Sequence, residues 1–324
     1  MATCGTVRDM NLSRMREYML EHRKVRIADA ARETGMSIPT AAKLIGDLVE
    51  NGEMITVGCC ASTGGRCASL FEINHSYLSY LLLRVDGDKI RYQLKDYAGD
   101  CLESGCVDIG ANAVCALDDL VLEAKARHEN LKGIFLGAEA HVTKGCIGME
   151  CSTPGLAGLN VREHFETLTG LCVNAENETN LVAHGCWRRL EMAQGCIVCL
   201  HMTSQRQFSA GLVINGRSWE GRKGLSGEVH LMQALRIAQE KYQEMDVPYY
   251  FAFMAGMYAV TLDPDRMIVY QPPNIAAIDC DELRELCRKG LMDEYIPQID
   301  VSDEWDRDYW TGLCMQMRKM LGIG

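Results

Sequence analysis

Apolar positions in the first fifty residues fall at helical spacing in three short stretches, and the spacing then turns strand-like. Asn11 to Glu21 places Leu12, Met15, Met19 and Leu20 on one face and predicts a helix. Arg26 to Thr34 repeats the pattern with Ile27, Ala30 and Ala31 inward, and Gly35-Met36 breaks it. Ser37 is suited to capping a third helix, with Pro39 in its first turn and Leu44, Ile45 and Leu48 on its apolar side, and Asn51-Gly52 stops it. Met54 to Cys59 and Cys67 to Asn74 then read as two strands around the turn Ala61 to Arg66.

Beyond Ser76 the pattern is mixed. Tyr80 to Val85, Ile90 to Leu94, Cys101 to Ile109, Leu131 to Leu136, Cys196 to Met202 and Phe208 to Ile214 are strand candidates. Ala116 to Glu129, Val161 to Thr169 and Glu178 to Leu190 are helical. Strands mixed with crossover helices imply an α/β body, and the strand-rich opening of each half suggests two related lobes. From about residue 230 the chain reads as mainly helical with one strand, Met267 to Tyr270, and the acidic run Asp300 to Asp308 reads as solvated surface.

Charge sharpens this division. The chain of 324 residues carries a net charge of −11. Residues 1–75 hold nine basic and nine acidic side chains, while the rest hold 24 against 35, so the whole deficit lies in the body. A neutral head with the basic run His22-Arg23-Lys24-Val25-Arg26 permits nucleic-acid binding, whereas the acidic body does not coat a polyanion. The opening residues lack the basic-then-apolar order of a secretory signal, and stretches such as YLSYLLLRV are about half a bilayer span. A cytoplasmic protein without a membrane partner is expected. Sixteen cysteines are accordingly read as reduced, mostly core-filling thiols. Cys196-x-x-Cys199-x-His201 has ligand types, but on a strand residues three apart face opposite ways, so no metal site is assigned.

Helix, short helix, glycine turn and a helix opening Ser-x-Pro-Thr is the order of a helix-turn-helix, and the hairpin behind it reads as a wing. In that reading Ser37, Ile38, Thr40, Ala41 and Lys43 face the major groove, with Ala41 against a thymine methyl. Gly64, Gly65 and Arg66 at the wing tip bring backbone and one guanidinium to the DNA backbone or minor groove. A protein-binding helical domain is the alternative. Cys59-Cys60 beside the wing would suit a thiol- or metal-responsive regulator.

Several segments together resemble the ROK family (repressor, open reading frame, kinase). Ser37-x-Pro-Thr40 and Gly64 to Asn74 are similar to its recognition helix and wing. Thr153 to Glu163, Asn174 to Gly185 and Ala210 to Glu228 are similar to segments around its sugar cleft. The resemblance implies an α+β multidomain chain: a winged helix-turn-helix at 1–75, then an actin/hexokinase-like (ribonuclease H-like) two-lobed α/β body. Its lobes would run 76–175 and 176–324, the second shortened and without the family's zinc loop. By resemblance Asn177, Glu178, Glu228 and His230 would hold a sugar-like effector. The family's base position is taken by Glu178, and Thr203 to Ser209 stands where glycines should cradle phosphates. The first lobe likewise opens on Leu-Leu-Leu-Arg-Val-Asp-Gly-Asp-Lys, without a glycine-rich hairpin. No catalytic residue and no cofactor are therefore assigned. The expected function is transcription regulation: a repressor bound as a dimer or larger homo-oligomer to operator double-stranded DNA. A residual sugar kinase using Glu178 as base is the alternative.

Overall fold

Three helices and a small sheet form the head. In the computed structural model, which describes residues 4–59, 69–202, 208–229, 247–272 and 275–323, these are α1 (Cys4–His22), β1 (Lys24–Val25), α2 (Ile27–Thr34), α3 (Ile38–Glu50), β2 (Met54–Cys59) and β3 (Ser69–Ile73). Met15, Met19, Ala30, Ala31, Leu44, Ile45 and Leu48 close one core, as the helical spacing requires. Gly35 ends α2 in the left-handed conformation at φ 68°, which only glycine adopts without cost, and the chain turns directly into α3. The strand order is β1-β3-β2 with all pairs antiparallel, so β2 and β3 form the hairpin behind α3.

The body contains two five-stranded sheets built on one plan. The first comprises β4 (Ser79–Asp86), β5 (Lys89–Asp96), β6 (Cys101–Asp108), β7 (Leu131–Ala138) and β10 (Cys172–Asn177). Between these lie α4 (Ala113–Arg127), the short pair β8 (Val142–Thr143) and β9 (Cys146–Ile147), and α5 (Val161–Thr169). After α6 (Glu178–Arg189), the second sheet comprises β11 (Cys196–Met202), β12 (Phe208–Ile214), β13 (Arg217–Ser218), β14 (Arg266–Tyr270) and β15 (Gln298–Ser302). Its helices are α7 (Val247–Leu262), α8 (Cys280–Arg288) and α9 (Trp305–Met320). The orders are β6-β5-β4-β7-β10 and β13-β12-β11-β14-β15. In each, the first three strands form an antiparallel meander, and the last two join its first strand in parallel. This shared plan is the ribonuclease H-like arrangement, made twice.

Strand alternation sorts the side chains into layers. Leu81, Leu83 and Val85 of β4 face the outer core beneath α4 and α5, while Tyr80 and Leu82 face the opposite way. Likewise Cys196, Val198 and Leu200 of β11 pack under α7 and α8, while Ile197 and Cys199 join Tyr80 and Leu82 in a central layer with α6 and α9. Cys196 and Cys199 thus lie on opposite faces. The helices of the central layer approach at glycines: a Cβ on Gly185 would overlap the carbonyl of Asp308, and one on Gly312 the carbonyl of Leu181.

Besides four two-residue strands among the described residues, two longer ones escape the sequence pattern. β10 (CVNAEN) and β15 (QIDVS) are short and polar, and each is held by parallel pairing with a hydrophobic neighbour, β7 and β14 respectively. The solvated reading of Asp300 to Asp308 also needs correction. Asp300 belongs to β15, and Asp308 is fully buried. Its carboxylate accepts from Arg189 Nη2 at 2.7 Å and from the Tyr270 hydroxyl at 2.5 Å, partners far away in sequence. No helix among the described residues is long and apolar enough to cross a membrane.

Candidate nucleic-acid interface and interlobe site

The exposed edge of the head is the start of α3. Ser37 caps the helix, its Oγ accepting from the Thr40 amide at 3.3 Å and lying 2.8 Å from Thr40 Oγ1. Ser37 and Lys43 are exposed, Thr40 is half-exposed, and Ile38 is 60% exposed in the helix's first turn. Ala41 is a correction: at 0% exposure it belongs to the head's core with Leu44 and Ile45, so it cannot reach a thymine methyl from this arrangement. The helical repeat turns position 41 inward, and the outward apolar group at this end is Ile38. Gly64, Gly65 and Arg66 lie outside the described residues, as does Cys60.

The head is joined to the body by buried polar bonds as well as apolar contact. Glu53 of the head, 1% exposed, accepts from the Tyr97 hydroxyl of the body at 2.6 Å, and from Arg16 of α1 at 2.7 and 2.8 Å. At the periphery Arg23 makes a forked pair with Asp100 at 2.8 and 2.9 Å, and Asp96 takes His75 Nδ1 at 2.7 Å.

The predicted ligand residues gather where β10 runs into α6. Asn177 caps α6, its Oδ1 accepting from the amides of Thr179 (2.8 Å) and Asn180 (3.3 Å). Its amide nitrogen donates to Ala140 O at 3.0 Å and to Glu228 Oε1 at 3.3 Å, so capping and cleft contact are made by one side chain. Burial pushes Glu228 up to about 7, with the charges of Glu150 and Glu176 adding to it. Glu178 is pushed up to about 8, first by burial and then by Glu139, with Arg84 opposing. Neighbouring Glu176 rises to about 7 by burial, while accepting from Asn180 Nδ2 at 3.0 Å. His230 lies outside the described residues.

Sequence reading missed the groups that face Glu178. Arg84, buried near the end of β4, donates to Asp306 Oδ1 at 2.5 Å and lies 4.4 Å from the centre of the Tyr309 ring. His201 stacks on Trp305 with ring centres 3.8 Å apart, its Nδ1 3.9 Å from Glu178 Oε1. Burial, then Arg84, hold the imidazole neutral with its pKa down at about 3. Arg84 Nε, His201 Nδ1 and Tyr309 Oη are buried with no hydrogen-bond partner among the described residues. One available signal was an arginine inside the apolar strand SYLLLRVD. Tyr309 and Trp305 gave none, because the acidic run around them resembles a surface.

This arrangement has no glycine cradle on its first-lobe side: an arginine and two carboxylates, Asp86 and Asp88, occupy the β4–β5 turn region around Gly87.

No protein-family model matches the chain. Over 245 residues it is 24% identical to the "Putative xylose repressor" of Caldicellulosiruptor sp. (strain Rt8B.4), a match covering 71% of this chain and 60% of that protein. Among solved structures, a ROK family transcriptional regulator, homologue of the E. coli MLC protein, superposes with TM-score 0.69 at 13% identity over 98% of this chain and 97% of its own. The ROK hexokinase of Thermus thermophilus gives TM-score 0.58 at 17% identity, over 76% of this chain and 100% of its own. A ROK family glucokinase of Streptomyces griseus, in complex with glucose and AMPPNP, gives 0.54 at 16% identity over 74% and 99%. The kinases leave about a quarter of this chain unmatched, whereas the regulator spans it nearly end to end. The chain therefore shares the fold of that ROK regulator, a helical head with a small sheet followed by two ribonuclease H-like lobes.

Proposed function

We propose that this chain is a sequence-specific DNA-binding repressor whose two lobes act as a ligand sensor without phosphoryl transfer. The observation that carries this reading is the joining of an exposed α3 to a body whose kinase-like cleft holds Arg84, His201 and Trp305. Ser37, Ile38, Thr40 and Lys43, with Arg66 and the glycines of the wing tip, form the operator-reading set, and 1–75 is the operator-binding unit. The lobes 76–175 and 176–324 enclose the effector. Asn177, Glu178 and Glu228, with His230, bind it through hydroxyl-type hydrogen bonds, as a sugar would require. The unpaired Arg84 Nε, His201 Nδ1 and Tyr309 Oη support a polar occupant, since buried polar atoms left unbonded cost stability. A pentose is the first effector to test, given the printed name of the relative from Caldicellulosiruptor.

Two copies would read inverted half-sites spaced by whole helical turns. Selection of fragments from a genomic library tests the reading: enrichment of a roughly palindromic sequence supports it, and recovery without sequence preference contradicts it. The competing reading, a sugar kinase with Glu178 as base, rests on the buried carboxylate at that position. It predicts coupled ATP turnover with a hexose or amino sugar that Glu178→Gln abolishes. The repressor reading predicts no turnover above background in either form.

A further inference from the structure

A cavity of about 690 Å³, separate from the interlobe cleft, lies between α1 of the head and α6 and α9 of the body. Its size falls in the range that small-molecule sites occupy. The body side carries Arg188, Arg318 and Lys319, and no carboxylate pairs with any of them among the described residues. The head side carries Glu17 and Glu21. Opposite charges thus face each other across an open gap that no ion pair closes. Such unpaired cations are notable in a body whose acidic residues exceed its basic ones.

The remaining walls are adapted to an organic group. Trp310, Leu20 and Met315 offer apolar surface, and His184 lies buried in the floor with its Nε2 2.6 Å from Ser218 Oγ. The charge of Lys319 reaches that floor, since it adds to burial in holding the His184 imidazole neutral. Guanidinium groups bind a phosphate in forked fashion and an ammonium adds a point charge, while carboxylates opposite repel a second anion but accept hydroxyl donors.

We propose that this cavity is a second ligand site, for a small organic phosphate whose phosphate meets Arg188, Arg318 and Lys319 and whose hydroxyl-bearing body faces Glu17 and Glu21. A ligand held there touches the head helix and both central helices of the body, and Glu17 directly follows Arg16, the head's partner for Glu53. Occupancy therefore biases the seating of the head, and operator DNA must change ligand affinity by the same factor.

Calorimetric titration of the full chain at constant ionic strength tests this, with ribose 5-phosphate, glycerol 3-phosphate, inorganic phosphate and glycerol as probes. The phosphate esters are expected to bind, with inorganic phosphate at least tenfold weaker and glycerol silent. Arg188→Gln with Arg318→Gln, and separately Lys319→Glu, should weaken the esters at least tenfold at unchanged melting temperature. Arg84→Gln, in the other cleft, should leave ester affinity unchanged. Absence of ester binding, ester affinity untouched by these substitutions, or inorganic phosphate equalling the esters would each overturn the proposal. Because no DNA is present, the outcome is independent of the repressor reading.

Discussion

Tyr97, immediately after β5 in the body, donates its hydroxyl to Glu53 Oε2 in the head at 2.6 Å, and both groups are buried. Arg16 supplies the opposite charge from α1, and its Nη1 also donates to Gly322 O at 2.9 Å, near the end of α9. Two body segments therefore hold the head through one ion pair, Tyr97 on its carboxylate and Gly322 on its guanidinium. Glu53 lies between α3 and β2, so the Tyr97 bond ties the body to the start of the head's hairpin.

Tyr97→Phe removes one donor and keeps the shape. Glu53 Oε2 then keeps only its bond from Arg16 Nε, and losing one hydrogen bond to a charged group costs about 1.5–3 kcal/mol. Chemical denaturation should show that loss, and limited proteolysis should cut faster at 74–79, between head and body. An unchanged cleavage rate would mean that the bond does not hold the head.

Asp308 carries a larger load. Arg189, Tyr270 and the close α6–α9 crossing converge on it. Asp308→Ala leaves the guanidinium of Arg189 without its counter-charge, and breaking such a buried pair costs about 3–5 kcal/mol. Asp306→Ala, two residues away on a more exposed carboxylate, is the contrast: its pair with Arg84 is only half buried, so the melting temperature should fall less.

Glu178 gives a pH signature. Its carboxyl titrates near 8 in the folded chain against an ordinary 4.5, so the native state keeps a proton that the unfolded chain has released. The associated stability is complete below pH 4.5 and is lost as pH rises through about 8. Glu176 and Glu228, each near 7, act in the same direction. Neutral His184, near 4 against 6.5, acts oppositely and loses its contribution as pH falls from 6.5 toward 4. Glu178→Gln should thus gain stability relative to the parent between about pH 5 and 8, by no more than about 1.4 kcal/mol per pH unit. Melting curves of both forms across that window check it; a constant offset would contradict the buried, protonated acid.

At the head, Lys43→Ala should weaken binding to all DNA sequences alike and lower the salt slope by about one. Ile38→Gln should instead alter which bases are preferred, at little cost in stability because the side chain is exposed. Footprinting against a set of half-site variants separates the two outcomes.

Much of this was legible in the chain. The helices around Gly35 and Ser37, and the strands at 196–202 and 208–214, follow from spacing, caps and apolar runs that local physics reads directly. The rest depended on distant partners. β10 and β15 owe their state to parallel neighbours, and Asp308 sits in the core only because Arg189 and Tyr270 meet it there. Ala41 went the other way: small and near the helix start, it lies on the inward side of α3. Arg84, His201 and Trp305 come from three separate elements, and no local pattern joins them.

The most direct test of the whole account is selection from sheared genomic DNA by the purified full chain, followed by binding to the recovered fragments at rising salt. The account predicts one enriched, roughly two-fold-symmetric sequence whose preference over random DNA survives at physiological salt, and whose occupancy shifts when a sugar-like effector is added. Recovery of unrelated fragments, all released together by salt, would contradict it.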